Sequence, residues 1–106
     1  MTDMIQVTTT TETEADAQAI AGALVTARLA ACVQVLGPIT STYRWQGQIE
    51  IAQEWLCLIK SEARLYPQVE QAILAAHPYE TPEIIATPVT GGSDGYLTWL
   101  HQSLTP

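Results

Sequence analysis

The segment His77-Pro78-Tyr79-Glu80-Thr81-Pro82-Glu83 gathers an imidazole, a phenol and two carboxylates between prolines that restrict the backbone. An imidazole and a carboxylate three residues apart, His77 and Glu80, can exchange protons with a bound molecule or donate to a metal ion. The same residues describe, and taken alone favour, a rigid connection between a helix and a strand, with polar side chains that cap and bond locally. Both readings stay open on these residues alone.

Other donors are Cys32, Asp94 and His101, and none of them falls into a metal-binding spacing such as His-x-x-x-His. A closed zinc site within one chain is therefore not expected. A weaker site shared between chains is compatible with the residues, and Cys with His suits copper. Cys32 alone reads by default as a buried thiol, and as a ligand only second. Lys60, the only lysine, either closes an apolar strand by snorkelling or orients an anionic ligand in a cleft. Tyr43, Trp45, Trp55, Tyr79, Tyr96 and Trp99 read as core or interface aromatics. Gly91-Gly92 lacks the lysine of a phosphate-binding loop, and spacing assigns no Ser/His/Asp set.

The elements that must position these groups follow from local pattern. Met4-Ile5-Gln6-Val7 predicts a short strand, ended by the threonines Thr8 to Thr11, with Thr11 and Glu14 forming a capping box. Ala17, Ile20, Ala21, Leu24, Ala27 and Ala31 recur at helical steps and mark one helix face. A second strand starts at Cys32, bends at Gly37-Pro38 and alternates Ile39, Ser41, Tyr43 and Trp45 against Thr40, Thr42 and Arg44. Gln46-Gly47 is a hairpin turn, and the return strand runs from Gln48 to Lys60. If opposed residues are symmetric about that turn, Cys57 faces Leu36 and Cys32 faces Ser61. The thiols are then offset by four residues, about 13 Å at strand rise, beyond disulfide reach.

After a turn at Ser61 to Ala63, a second helix carries Leu65, Val69, Ala72, Ile73 and Ala76 inward, with Pro67 in its first turn. It ends at His77-Pro78, because the residue before proline resists helical geometry. Ile84 to Val89 is a fourth strand, and Ser93 caps a short closing helix through Tyr96, Leu97, Trp99 and Leu100. The order β-α-β-β-α-β plus a terminal helix predicts an α+β, ferredoxin-like fold with an extended hairpin between its second and third strands. The runs Trp55-Leu56-Cys57-Leu58-Ile59 and Ile84-Ile85-Ala86 are apolar on both strand faces, so the second sheet face needs cover. A short terminal helix is too little, and another copy of the chain is the expected cover.

Composition bounds the partners. The chain has 106 residues, 47% of them hydrophobic, and 4 Lys+Arg against 11 Asp+Glu give a net charge of −7. That suits one globular domain over 1–106, and scattered basic residues on an acidic chain exclude nucleic acid as an expected partner. No apolar run approaches the roughly 20 residues of a membrane helix. The first fifteen residues, which include Asp3, Glu12 and Glu14, lack the pattern of a secretory signal. A cytoplasmic protein with reduced thiols, touching no membrane, is the expectation.

Ala30-Ala31-Cys32-Val33, Tyr43-Arg44-Trp45-Gln46-Gly47 with Ile49-Glu50, Leu58-Ile59-Lys60, His77-Pro78-Tyr79-Glu80 with Pro82-Glu83-Ile84, and Tyr96-Leu97-x-Trp99 together resemble the CutA family of divalent-cation tolerance proteins. The resemblance spans nearly the whole chain. It implies a ferredoxin-like subunit in a tight homotrimer similar to the PII signalling proteins, and a link to copper and other divalent cations. It implies no known reaction and no required cofactor. Some bacterial relatives place a cysteine near the end of the first strand, where this chain has Thr8 and Thr9, so a soft ligand is missing here. Carried over, the motif positions imply a ligand cleft of Trp45, Glu54, Lys60, Tyr79 and Trp99 and metal donors Cys32, His77 and Glu80. The alternative expectation is a PII-like module that binds a small anionic metabolite in the clefts between subunits. A third is a small enzyme using His77 and Glu80 as acid and base.

Overall fold

A computed structural model describes residues 3–105. Its elements are β1 (Met4–Thr11), α1 (Glu14–Thr26), β2 (Cys32–Trp45), β3 (Gln48–Glu62), a single 3-10 turn (Ala63–Leu65), α2 (Tyr66–Ala76), β4 (Ile85–Pro88) and α3 (Asp94–Leu104). The four strands form one sheet in the order β2-β3-β1-β4, with every neighbour antiparallel. This is the expected α+β, ferredoxin-like arrangement, with α3 added at the end. Among the described residues no helix is long and apolar enough to cross a membrane.

The long hairpin turns where its residues predict. Gln46 and Gly47 both take positive φ, 51° and 79°, and Trp45 pairs with Gln48, which is the two-residue turn whose twist matches the flanking strands. The register slips between Leu36 and Ile39, at the expected bend. Gly37 is required there, because a Cβ at that position would overlap the Trp55 indole. The slip moves the inner pairing by one residue, so Cys32 opposes Lys60 and Cys57 opposes Val35 rather than Ser61 and Leu36. The thiols remain about 10 Å apart along the strands, and both are free.

Several boundaries differ from the sequence reading, β4 among them, which spans Ile85–Pro88 rather than Ile84 to Val89. β1 continues through Thr11, because Thr8 to Thr11 pair with Leu58 to Trp55 and β-branched side chains suit a pleated surface. The α1 cap is accordingly Thr13, whose Oγ1 accepts from the Asp16 amide at 3.1 Å, while Thr11 Oγ1 donates to the Thr13 carbonyl at 2.8 Å. At its other end α1 stops at Thr26, so Ala27 and Ala31 lie outside it: Arg28 is left-handed (φ 58°), and the Leu29 and Arg28 amides bond the Leu24 and Val25 carbonyls. β3 runs on to Glu62, paired with Met4, and α3 extends to Leu104.

Strand alternation divides the sheet. Val7, Thr9, Cys57, Ile59 and Ser61, all at 0% exposure, face the helix layer, where Ala17, Ile20 and Leu24 of α1 meet Val69 and Ile73 of α2. Thr8, Leu56, Leu58 and Lys60 face the other way. α3 covers one end of that second face, where His101 Nδ1 lies 2.6 Å from Glu62 Oε2 and Leu100 and Leu104 are buried. Toward the hairpin the cover ends, and Leu36 and Ile85 stand 46% and 54% exposed.

Candidate functional site

The segment after α2 is held by its histidine. Pro78 forces His77 out of the helix into extended geometry (ψ 131°), and its ring turns inward until the residue is 8% exposed. Nε2 lies 2.7 Å from the Thr10 carbonyl, and Nδ1 accepts from the Tyr79 amide at 3.1 Å. A carbonyl only accepts, so Nε2 carries the proton and the lone pair of Nδ1 is already used. His77 therefore anchors the segment to the end of β1.

That anchor places Tyr79, whose ring lies 4.7 Å from the imidazole between centroids, against the hairpin. Its hydroxyl donates to Glu54 Oε2 at 2.9 Å. Burial first, then the Glu54 carboxylate, with smaller contributions from Glu12 and Tyr43, push the Tyr79 phenol far above its ordinary range, so it stays a donor. Glu54 is 7% exposed, and among the described residues its other oxygen, Oε1, takes no hydrogen bond.

Between this segment and the hairpin lies an open cavity of about 570 Å³. Its walls carry three aromatic rings (Tyr43, Trp45, Tyr79), three carboxylates (Glu54, Glu80, Glu83) and hydroxyls that include Ser41 and Thr81. Ser41, Tyr43 and Trp45 arrive together because alternate residues of β2 share a face. None of the lining residues is Lys or Arg, so the site repels anions and attracts cations.

The structure thus joins Trp45, Glu54, Tyr79 and Glu80 and separates them from the rest of the expected cleft. Lys60 lies six residues from Glu54 along β3, about 20 Å at strand rise, opposite Cys32 and donating to Gln34 Oε1 at 2.9 Å. Trp99 packs against Tyr96 on α3 at 5.5 Å between centroids, the rings tilted by 41°, and neither lines the cavity. The expected metal donors are likewise apart within one chain: Cys32 at one end, His77 behind the cavity, Glu80 on its rim. Among the described residues no group of three or more His, Cys, Asp or Glu is placed to hold a metal ion.

Sequence reasoning did not assign Tyr43 or Ser41 to a site, although the alternation of the second strand had already set both beside Trp45, and Glu83 entered only as a carboxylate of the 77–83 segment. It also missed Glu62, at 0% exposure, which binds Arg64 Nε at 2.7 Å and His101 at 2.6 Å and so fastens α3 to the sheet.

Residues 5–103 match the family described as CutA1 divalent ion tolerance protein. Over 94 residues the chain is 44% identical to the divalent-cation tolerance protein CutA of Thermus thermophilus, covering 89% of this chain and 91% of that one. Protein CutA of Mus musculus is 46% identical over 86 residues, 81% of this chain, and the match spans only 49% of the mouse protein. Among solved structures, a divalent cation tolerance protein of Thermus thermophilus superposes with a TM-score of 0.92 at 42% identity, covering 94% of this chain and 97% of that one. A protein of Archaeoglobus fulgidus described as periplasmic superposes with a TM-score of 0.92 at 32% identity, covering 95% and 98%. These matches cover nearly the whole of the described fold, and the chain belongs to the CutA family of divalent-cation tolerance proteins.

Proposed function

We propose that this chain works as a homotrimeric, non-catalytic, cation-responsive protein of the cytoplasm, taking copper or another divalent ion at sites completed between chains. The observation that carries the reading is the lining of the cavity: three carboxylates, with no Lys or Arg among them. Because one described chain brings no three donors together, the remaining donors are assigned to a neighbouring copy. Exposed apolar residues of the hairpin, Ile49 at 59% and Ile51 at 70%, support self-association, and the number three comes from the family resemblance.

Of the three expected donors, Glu80 has open access to the cavity. Cys32 lies on the edge strand β2, where a neighbour can reach it, and His77 joins only by releasing the Tyr79 amide. The anionic-metabolite reading draws on Lys60, which is remote from this cavity. The acid-base reading loses His77, since both nitrogens of its ring are bonded.

Native mass spectrometry should give three times the chain mass, and calorimetric copper titration should show affinity that falls in Glu80→Ala. A stable monomer at micromolar concentration, or copper affinity unchanged by Glu80→Ala, overturns the assembly and the site respectively.

A further inference from the structure

The cavity holds more than negative charge. Tyr43 and Trp45 stand two residues apart on one face of β2, so their rings rise from backbone positions about 7 Å apart. A cation seated between such rings lies within the roughly 6 Å over which an aromatic face attracts it. Both residues keep open surface in the single chain, 43% and 47% exposed. Tyr79 forms a further wall, and behind it Glu54 offers Oε1, unpaired among the described residues, on a side chain more than nine-tenths buried. The Tyr79 hydroxyl is committed to Oε2, and Oε1, which is not one of the fully buried atoms left without a partner, keeps solvent contact and is open to a further donor.

Each simpler ligand leaves part of this lining unused. A metal ion, even with donors completed by a neighbouring copy, would take the carboxylates and leave the aromatic walls unused. An anion would meet three carboxylates and no cation. A neutral apolar molecule would have to desolvate Glu54 without compensation. A quaternary ammonium could use the rings but could not donate to Oε1 or to the Ser41 and Thr81 hydroxyls.

We propose that this cavity binds a primary organic ammonium ion, its N–H groups on Glu54 Oε1 and its charge and hydrocarbon body between Tyr43, Trp45 and Tyr79. The volume of about 570 Å³ lies within the range of small-molecule sites, and the net charge of −7 adds a long-range attraction for the cation. This inference rests on reading the cavity as a cation site and names the class of cation.

The test uses two probes of like shape and opposite charge, 2-phenylethylammonium and 3-phenylpropionate, titrated into the purified protein and followed by calorimetry. The ammonium should bind and the carboxylate should not. Trp45→Leu, at a half-exposed position, and Glu54→Gln should each weaken the ammonium about tenfold, while circular dichroism shows both variants folded. Phenylethyltrimethylammonium should bind more weakly than the primary amine. Equal binding of both charge types, preference for the carboxylate, or no binding because a neighbouring copy fills the cavity would each overturn the proposal. Copper titrated in parallel separates the two readings: copper bound without the ammonium sinks this inference alone, and ammonium bound without copper sinks the metal reading alone.

Discussion

Thr9 and Thr11 allow an internally controlled test of what holds the sheet. They lie on the same strand, point to the same face and are both 0% exposed. Thr11 Oγ1 donates to the Thr13 carbonyl at 2.8 Å, whereas Thr9 Oγ1, opposite Cys57, has no partner among the described residues. A buried hydroxyl without a hydrogen bond costs about 1–3 kcal/mol. Thr9→Val keeps the shape and the strand preference, removes the orphan and adds apolar burial, so it should stabilise each chain by about 1.5 kcal/mol. Thr11→Val removes a bond that is made and should cost about 1 kcal/mol. The two substitutions should therefore differ by about 2.5 kcal/mol in opposite directions. Urea unfolding at matched chain concentration, followed by circular dichroism, measures both. At roughly 2 cal/mol/K per residue of unfolding entropy, the Thr9 gain corresponds to a midpoint rise of about 7 °C. Loss of stability in Thr9→Val, or equal effects of the two variants, would refute the assignment of the orphan hydroxyl.

Other consequences are open to measurement. Because Tyr79 has its phenol raised in the folded state, its contribution is whole below about pH 10, the unfolded tyrosine value, and is lost as pH climbs toward the folded one. Stability should thus fall with rising pH above 10, and Tyr79→Phe should flatten that slope in alkaline denaturation curves. Gly37→Ala drives a methyl into the Trp55 indole and should cost about 2 kcal/mol in the same urea assay; a neutral result would show that the bend gives way freely. Cys57, at 0% exposure and with its thiol raised by burial, should resist alkylation until the chain unfolds, while the partly exposed Cys32 reacts first. Reductant should leave the unfolding midpoint unchanged, and a peptide map joining the two cysteines would contradict the register.

Much of the fold was legible in the residues themselves, because the signals are local. The helical steps of Ala17, Ile20 and Leu24, the Gln46-Gly47 turn, the stop at His77-Pro78 and the Ser93 cap each depend on neighbours within a few positions. The need for cover on the second sheet face also followed from pattern, since runs apolar on both sides cannot leave one side in water.

Tertiary structure decided what depends on residues distant in the chain. The four threonines read as a strand ending, yet become strand because β3 supplies their partners. His77 reads as a free donor, but the Thr10 carbonyl, 67 residues away, takes one nitrogen and leaves the ring a structural anchor. Glu54 and Tyr79, 25 residues apart, become one hydrogen-bonded pair, while Lys60, on the same strand as Glu54, is carried to the far end of the hairpin. A motif constrains the residues inside it through backbone geometry. Which carboxylate meets which hydroxyl across the sheet depends on register, and a single bulge at Gly37 is enough to change that.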